Sequence, residues 1–412
     1  MTETTARPPQ ARLAPLLAAE VISATGSALT AVSLPWFVLT SSGSATQAGL
    51  VVAAQMAPVV LFGVISGSWV EAIGARRWMM LADSCRALLV AAIPVLSMAD
   101  ALPFWLLLVL VAAIGLFSAP YTASQQILLS EVAGDDEEAL SRATSTLQTA
   151  TRVTLLLGPP AAGLLIAWIG ARPVLFIDAA SFLVILPLIG RLTLTSRRVD
   201  HRQRPRLLDG LKILFGDRLL ASWTSGTVLG EAAYQALFIA FPILTVARYK
   251  ESATLVGVLL GGFGLGAVLG SLFASRLTRR LSARRMAQVG KVLQAVTFLA
   301  LIPAWPPSAL VAIVTVLGLF NGMTNGPALA VRLTRIPPAM RSRALTASST
   351  ITMLGGTLGL VMAGPAMQSR PMTEVFTVMA VLQILNAGLF VWGARASAPA
   401  EPPVPAGHGN PQ

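Results

Sequence analysis

The feature that most constrains this chain is a succession of twelve apolar windows, each long enough to form a membrane-spanning helix. A bilayer core is crossed by about 20 apolar helical residues. Only 12% of the 412 residues are charged and 55% are hydrophobic, whereas a soluble domain carries about 25% charged residues. The windows lie near residues 13–39, 47–70, 78–98, 103–129, 140–169, 173–191, 220–246, 254–277, 286–304, 308–333, 344–368 and 373–394. They predict an all-α membrane protein with twelve transmembrane helices.

A faint repeat divides these windows into two sets of six. Helical halves that share a topology place a binding site where they meet, at mid-membrane, which is typical of transporters. We predict bundles at 13–191 and 220–395, an N-terminal segment at 1–12, a linker at 192–219 and a disordered tail at 396–412. Six landmarks recur about 207 residues apart: Leu34-Pro35 as Phe241-Pro242, Gly49 as Gly257, Gly67-Ser68 as Gly270-Ser271, Ser118-Ala119-Pro120 as Asn325-Gly326-Pro327, Ser141-Arg142-Ala143 as Ser342-Arg343-Ala344, and Gly158-Pro159 as Gly364-Pro365.

The distribution of lysine and arginine predicts the orientation in the membrane. Most of the 30 basic residues fall on the side of the two termini, and the opposite side has only Arg172, Arg248, Lys250 and Arg370. Because basic loops stay in the cytoplasm, we expect cytoplasmic termini in the cell's inner (plasma) membrane. Apolar residues from Leu207 to Phe215 in the basic linker predict a short amphipathic helix on that face. Attraction to anionic lipid explains this segment better than a regulatory site does.

Several classes of partner and cofactor are disfavoured. No Gly-x4-Gly-Lys-Ser/Thr loop is present, so we expect no ATP-driven motor and no cofactor, with a proton gradient as the energy source. His201 and His408 lie in the linker and the tail, which argues against a metal site and against a histidine-based enzyme. The net charge of +12 comes from basic residues between apolar spans without interleaved aromatics, so nucleic acid is not an expected partner. The expected partners are a small-molecule substrate, protons and the bilayer, with the protein as a monomer.

One loop carries a family resemblance. Between the second and third windows, Gly67, Glu71, Gly74, Arg76 and Arg77 stand at the positions of the signature motif of the major facilitator superfamily, which this loop resembles. The resemblance implies two six-helix bundles and a gate that the basic pair latches by contacting the acid or helix carbonyls. Two departures imply a weaker latch: the acid is glutamate instead of the usual aspartate, and Ala72 replaces a residue that is commonly basic.

Three further stretches look like the drug-proton antiporter branch that includes enterobactin exporters and macrolide efflux pumps. They are Asp83-Ser84-Cys85-Arg86, the segment 142–163 after Pro120, and Phe176-Ile177-Asp178. In this region Arg152 and Asp178 are expected to brace the fifth and sixth helices. The resemblance does not identify a substrate.

Ionisable residues inside the predicted spans are candidates for function, because each costs about 2.5–3.5 kcal/mol to insert near the bilayer centre. Asp83 and Arg86 are three residues apart on one helical face, so a structural charge pair is expected, with a coupling site as the alternative. Lys291 is expected to extend to the nearby membrane surface. The set comprises Glu20, Asp83, Arg86, Arg152, Asp178, Glu231 and Lys291.

Glu20 and Glu231 are the carboxylates that we select for proton coupling and substrate binding. They lie in the first helix of each half, at related depths, with no basic neighbour on their own helices. A carboxyl group in a partly dry cavity can take up and release a proton as access alternates; hydrogen bonding to a neighbouring helix is the structural alternative. Polar residues that could contact a substrate are Tyr234 and Gln235, one turn after Glu231, and Asn321 and Asn325, although helix packing would also explain the asparagines.

These observations predict a proton-coupled exporter of amphipathic small molecules that works by alternating access. An importer or facilitator of a specific metabolite is the alternative. A polytopic membrane enzyme is disfavoured because the external loops are short and lack paired acids, and a sensor is disfavoured because no soluble output domain is present.

Overall fold

The computed structural model describes residues 9–62, 69–70, 73–118, 120–121, 124–125, 127–128, 147, 153–154, 157–191, 207–250, 253–277, 281–337 and 340–395. The first half contains α1 (Pro9–Ser42), α2 (Ala45–Phe62), α3 (Ala75–Met98), α4 (Phe104–Ser118), α5 (Leu157–Ile169) and α6 (Ala171–Gly190). A short helix, α7 (Leu207–Gly216), precedes the second half. The second half contains α8 (Arg218–Leu244), α9 (Ala253–Leu277), α10 (Ala283–Ala300), α11 (Pro307–Arg335), α12 (Arg341–Ser369) and α13 (Met372–Arg395).

Each predicted window overlaps one of these helices, so the predicted fold class is confirmed. Nine helices in the described part of the chain are long and apolar enough to cross a bilayer. In the same ranges, α4 and α5 are shorter apolar helices. The helix α10 has 18 residues and includes Arg284, Arg285 and Lys291, which lower its hydropathy.

Successive helices run in opposite directions, which defines two sides of the molecule. We call the side on which α1 begins, α13 ends and α7 lies the linker side, and the opposite side the far side. Only Gly43 and Ser44 separate α1 from α2 on the far side, and Gly43 makes the turn with a φ of 67°. On the same side, Tyr249 Oη donates a hydrogen bond of 2.7 Å to the Trp305 carbonyl oxygen. The helix α8 ends there in a π-helical turn, Thr245–Tyr249, that follows Pro242.

In the second half, α9 and α11 pack with their backbones in contact. A Cβ atom at Gly266 or Gly270 would overlap carbonyl oxygens of α11, and one at Gly318 would overlap the Phe263 carbonyl oxygen of α9. Small residues permit this approach in membrane helices. Gly266 and Gly270 therefore serve helix packing.

The helix α7 is fixed to the second half. Gly210 lies against the backbone of Arg343 in α12, and the Asp209 carboxylate is 3.6 Å from the Arg343 guanidinium. Asp217 accepts hydrogen bonds from the Leu219 and Leu220 amides and so caps α8. The same carboxylate pairs with Arg335 of α11 at 2.9 Å. These contacts make α7 part of the second half, so the two should move together.

Candidate functional site

A cavity of about 980 Å³ lies between the two halves. The first half contributes α1, α2 and the start of α5, and the second contributes α8, α9, α11 and α12, with Ala283 at the start of α10. Its wall reaches Ala274 and Ala283 at the linker-side ends of α9 and α10. The volume is at the upper end of the range of ligand pockets, about 300–1,000 Å³. This space can hold a drug-sized molecule.

Three of the four predicted contact residues lie on the cavity wall. They are Gln235 of α8 and Asn321 and Asn325 of α11. The Asn325 Nδ2 donates a hydrogen bond of 3.0 Å to Asn321 Oδ1, one turn away. Tyr234, the fourth, is 5% exposed and packs edge-on against Phe298, with ring centroids 5.3 Å apart. It therefore lies behind the wall.

Aromatic side chains, which were not among the predicted contact residues, form part of the wall. Phe238 and Phe263 both line the cavity, and their rings meet edge to face with centroids 5.2 Å apart. Phe238 follows Gln235 by three residues and therefore lies on the same face of α8. That spacing was the available signal in the sequence.

The far side is closed by close contacts between the halves. A Cβ atom at Gly257 of α9 would lie 2.7 Å from the Pro159 carbonyl oxygen of α5. A Cβ atom at Gly49 of α2 would lie 3.2 Å from the Leu360 carbonyl oxygen and 3.4 Å from the Gly364 Cα, both in α12. Gly49 and Gly257 are equivalent landmarks of the repeat. The repeat in the sequence therefore included both glycines of the far-side contacts, but their role in closing the far side was not predicted.

Hydrogen bonds reinforce this closure. Gln368 of α12 accepts hydrogen bonds through Oε1 from Ser44 Oγ at 3.2 Å and from Thr46 Oγ1 at 2.6 Å. Ser44 and Thr46 lie at the far-side start of α2, in the other half. The named contacts thus join the halves at the end of the cavity away from α7.

Glu231 lies one side chain behind the cavity wall. Its Oε1 accepts a hydrogen bond of 3.0 Å from Nε2 of Gln235, which lines the cavity. Both side chains face Gly356 of α12, where a Cβ atom would lie 3.1 Å from the Glu231 Cγ and 3.0 Å from the Gln235 Cγ. Lys291 of α10 interacts electrostatically with the Glu231 carboxylate. A ligand that contacts Gln235 would therefore act on a partner of Glu231.

Lys291 does not extend to the membrane surface, so that expectation is wrong. Its side chain is 6% exposed, and Nζ donates a hydrogen bond of 3.2 Å to Gln294 Oε1. Nζ also lies 5.3 Å from the centroid of the Phe390 ring. The Glu231 carboxylate and these interior partners offset part of the solvation that the lysine loses by burial.

Glu20 is buried in different surroundings. It is 5% exposed and accepts hydrogen bonds from the Tyr121 hydroxyl at 3.3 Å and from Nε2 of Gln125. Asp83 and Arg86 of α3 interact with it electrostatically. In the described part of the chain, none of the residues named as partners of Glu20 is also a partner of Glu231. The two carboxylates therefore occupy separate polar sites.

The Asp83 and Arg86 side chains form a buried pair that joins three helices. Arg86 Nη1 lies 3.8 Å from Asp83 Oδ1, Nη2 donates a hydrogen bond of 3.0 Å to Ser27 of α1, and the guanidinium lies 4.2 Å from the Phe182 ring centroid of α6. Asp178 of α6 accepts hydrogen bonds from Thr30 of α1 and from Ser181. Arg152, which is expected with Asp178 to brace the fifth and sixth helices, lies outside the described residues.

Part of the signature loop can be placed. Gly74 precedes α3 with a φ of 90°, a conformation that favours glycine. Arg76 donates a hydrogen bond to the Gly190 carbonyl oxygen at the C-terminal end of α6, where a cation is favoured by the helix dipole. Arg77 is exposed. Gly67 and Glu71 lie outside the described residues.

Known proteins resemble the chain along nearly its whole length. The multidrug efflux pump Tap of Mycolicibacterium fortuitum is 26% identical over 387 residues, which cover 90% of this chain and 92% of that protein. The multidrug efflux pump Tap of Mycobacterium tuberculosis (strain ATCC 25618 / H37Rv) is also 26% identical, over 391 residues, with 91% of each chain covered.

Solved structures share the fold at lower sequence identity. The nucleoside transporter NupG superimposes with a TM-score of 0.73 at 13% identity, covering 94% of this chain and 100% of that chain. A bacterial homologue of the human lysosomal transporter Spinster, in an inward-facing and occupied conformation, gives a TM-score of 0.73 at 14% identity, covering 96% and 100%.

The sequence model of the family described as Major Facilitator Superfamily matches this chain at residues 16–250 and 224–411, which together span both halves. The family match and the fold agree on a multi-pass membrane protein with a small-molecule substrate. The chain belongs to the Major Facilitator Superfamily and is a transporter rather than an enzyme.

Proposed function

We propose that this protein is a proton-coupled exporter of amphipathic small molecules. The observation that carries the proposal is the 980 Å³ cavity between the halves, with the named inter-half contacts on the far side. In the proposed cycle, residues 13–191 rock against residues 220–395. A substrate enters from the linker side and leaves on the far side after the glycine contacts separate.

The chemistry of the wall supports amphipathic substrates. Phenylalanine rings and aliphatic side chains provide apolar contact, and Gln235, Asn321 and Asn325 add carboxamides that both donate and accept hydrogen bonds. The similarity to pumps described as multidrug efflux pumps supports the same substrate class.

Glu231 and Glu20 are the proposed proton carriers. Burial favours the protonated form of a carboxyl group, and contact with water restores the charged form. Alternating access would therefore load a proton on one side and release it on the other. One proton moving through 100 mV supplies about 2.3 kcal/mol, which supports roughly a fifty-fold substrate gradient.

The proposed orientation places the linker side in the cytoplasm, because most basic residues lie on that side. An epitope tag at either terminus should then be protected from antibody in intact cells and accessible after permeabilisation. Antibody labelling of intact cells would contradict this orientation.

We propose a monomer as the transporting unit, since one chain supplies every helix around the cavity. Sedimentation of the detergent-solubilised protein as a dimer would contradict this proposal.

Accumulation of fluorescent dyes tests the export proposal in cells. Cells that express the protein should accumulate less of an apolar cationic dye than cells with an empty vector, and an uncoupler should remove the difference. Cells that express the Glu374→Gln variant should show the same reduced, uncoupler-sensitive accumulation as cells that express the unchanged protein. The Glu374 carboxylate lies exposed at the start of α13, away from the cavity. Higher accumulation in expressing cells would instead favour an importer, the alternative function.

A further inference from the structure

We propose that the Gln235 carboxamide passes the protonation state of Glu231 to the cavity, so that the site binds substrates with a hydrogen-bond donor only while Glu231 is ionised. The inference rests on the proposed function and adds a substrate class to it. The class is an apolar body that carries an N–H or O–H group.

Gln235 is placed to act on both sides of the wall. Its side chain lines the cavity, and its Nε2 lies 3.0 Å from Glu231 Oε1. The two residues are four apart, so they occupy one face of α8. The lack of a side chain at Gly356 of α12 leaves room for both, since a Cβ atom there would lie 3.0 Å from the Gln235 Cγ and 3.1 Å from the Glu231 Cγ.

The chemistry of the two groups couples them. An ionised carboxylate only accepts hydrogen bonds, so it requires the NH2 edge of the amide and leaves the Gln235 Oε1 edge toward the cavity. A protonated carboxyl group donates, so it is satisfied when the amide turns over and offers Oε1. The terminal torsion of glutamine has two broad preferred orientations that exchange these edges. Protonation of Glu231 thus changes the cavity wall from acceptor to donor at this point.

The other charged groups near Glu231 keep their positions in this scheme. Lys291 of α10 is held by Gln294, and Arg332 of α11 donates a hydrogen bond of 2.7 Å to Thr227, one turn before Glu231. Tyr234 is the titratable neighbour on α8 itself. In the described part of α12, Arg341 and Arg343 lie at the linker-side end, away from Gly356. The amide of Gln235 is the group that faces both Glu231 and the cavity.

In this scheme, substrate binding and proton binding oppose each other, as antiport requires. A substrate donor that binds Gln235 Oε1 stabilises the amide orientation that requires ionised Glu231, and so expels the proton. A proton on Glu231 presents the NH2 edge to the substrate donor and weakens binding. A substrate without a donor would be bound with little dependence on pH.

Two rhodamine dyes test this inference directly. Rhodamine 6G carries N–H groups, whereas the ethyl ester of rhodamine B is fully alkylated at nitrogen; both are permanent monocations. We would measure their dissociation constants by fluorescence anisotropy on the purified protein in nanodiscs. Between about pH 8 and about pH 5, the dissociation constant of rhodamine 6G should rise about tenfold or more, because a donor would face a donor. The fully alkylated dye should change about threefold or less.

Matched variants separate this inference from the proposed function. Gln235→Met keeps the side-chain length without a donor or acceptor and should remove the pH dependence for rhodamine 6G; Gln235→Ala should do the same if methionine packs poorly. An unchanged pH dependence in both variants would overturn the amide role, as would equal pH dependence of the two dyes or no binding of rhodamine 6G at the higher pH. Any of these results could occur while cells still export dye in an energy-dependent way, and the proposed function would then stand without the amide role. Absence of energy-dependent dye export in cells would contradict the proposed function itself.

Discussion

Leucine at Gly257 should hold the far side open and reduce dye export at least about fivefold. The substitution adds a side chain where a Cβ atom alone would lie 2.7 Å from the Pro159 carbonyl oxygen and 3.1 Å from the Gly163 Cα. Overpacking costs about 1–3 kcal/mol, which shifts a two-state equilibrium about five- to 150-fold. Because these contacts join the halves on the far side, the shift should favour the state in which they are separated.

Accessibility of one cavity residue measures this shift. Ile239 lines the cavity and is 3% exposed, so a single cysteine introduced by Ile239→Cys in a Cys85→Ala background reports far-side access. A membrane-impermeant maleimide added to the far side should label this cysteine faster when Gly257→Leu is present. Gly388→Leu is the matched control, because a Cβ atom at Gly388 meets no heavy atom within 4 Å. Equal labelling with Gly257→Leu and Gly388→Leu would show that this contact does not close the far side.

Glutamine at position 231 should abolish concentrative transport but leave downhill movement of the substrate. Glu231→Gln keeps the side-chain size and the partner Gln235, and it removes the group that gains and loses a proton. The roughly fifty-fold gradient that one proton could support at 100 mV should therefore disappear. Exchange of labelled for unlabelled rhodamine B ethyl ester across the membrane of proteoliposomes should continue, because the cavity remains intact and this dye has no hydrogen-bond donor that requires ionised Glu231.

Glu374→Gln is the control for this variant. That carboxylate is 57% exposed and lies 3.7 Å from Arg370, also exposed, and such surface pairs contribute about 0–1 kcal/mol. The control should retain full concentrative transport. Concentrative transport by Glu231→Gln would exclude this carboxylate as the proton carrier and leave Glu20 to be examined by the same substitution.

The sequence predicted the helices well because crossing a bilayer imposes a minimum apolar length. The windows at 220–246 and 373–394 correspond closely to α8 and α13. The repeat also marked Gly49 and Gly257, which the structure places at equivalent contacts with α12 and α5. Hydropathy and internal symmetry are properties of the chain itself, so they can be read without a structure.

The surroundings of the polar residues could not be predicted in the same way. The partners of Glu20, Tyr121 and Gln125, follow it by about a hundred residues, and no spacing rule connects them. The position of Lys291 in the sequence predicts a place near a membrane end, but its side chain contacts Gln294 and Phe390 in the interior. Conversely, the hydrogen bond between Glu231 and Gln235 is consistent with their four-residue spacing, although Gln235 was predicted as a substrate contact and not as a partner of the carboxylate.

The most direct test of proton-coupled transport uses the wild-type protein in proteoliposomes with an imposed pH gradient and a trapped pH indicator. The proposed function predicts that rhodamine 6G accumulates against its concentration gradient, on the side from which protons leave, and that dye addition causes proton movement in the opposite direction. Dye movement only down its own gradient, with no change in the indicator, would contradict it.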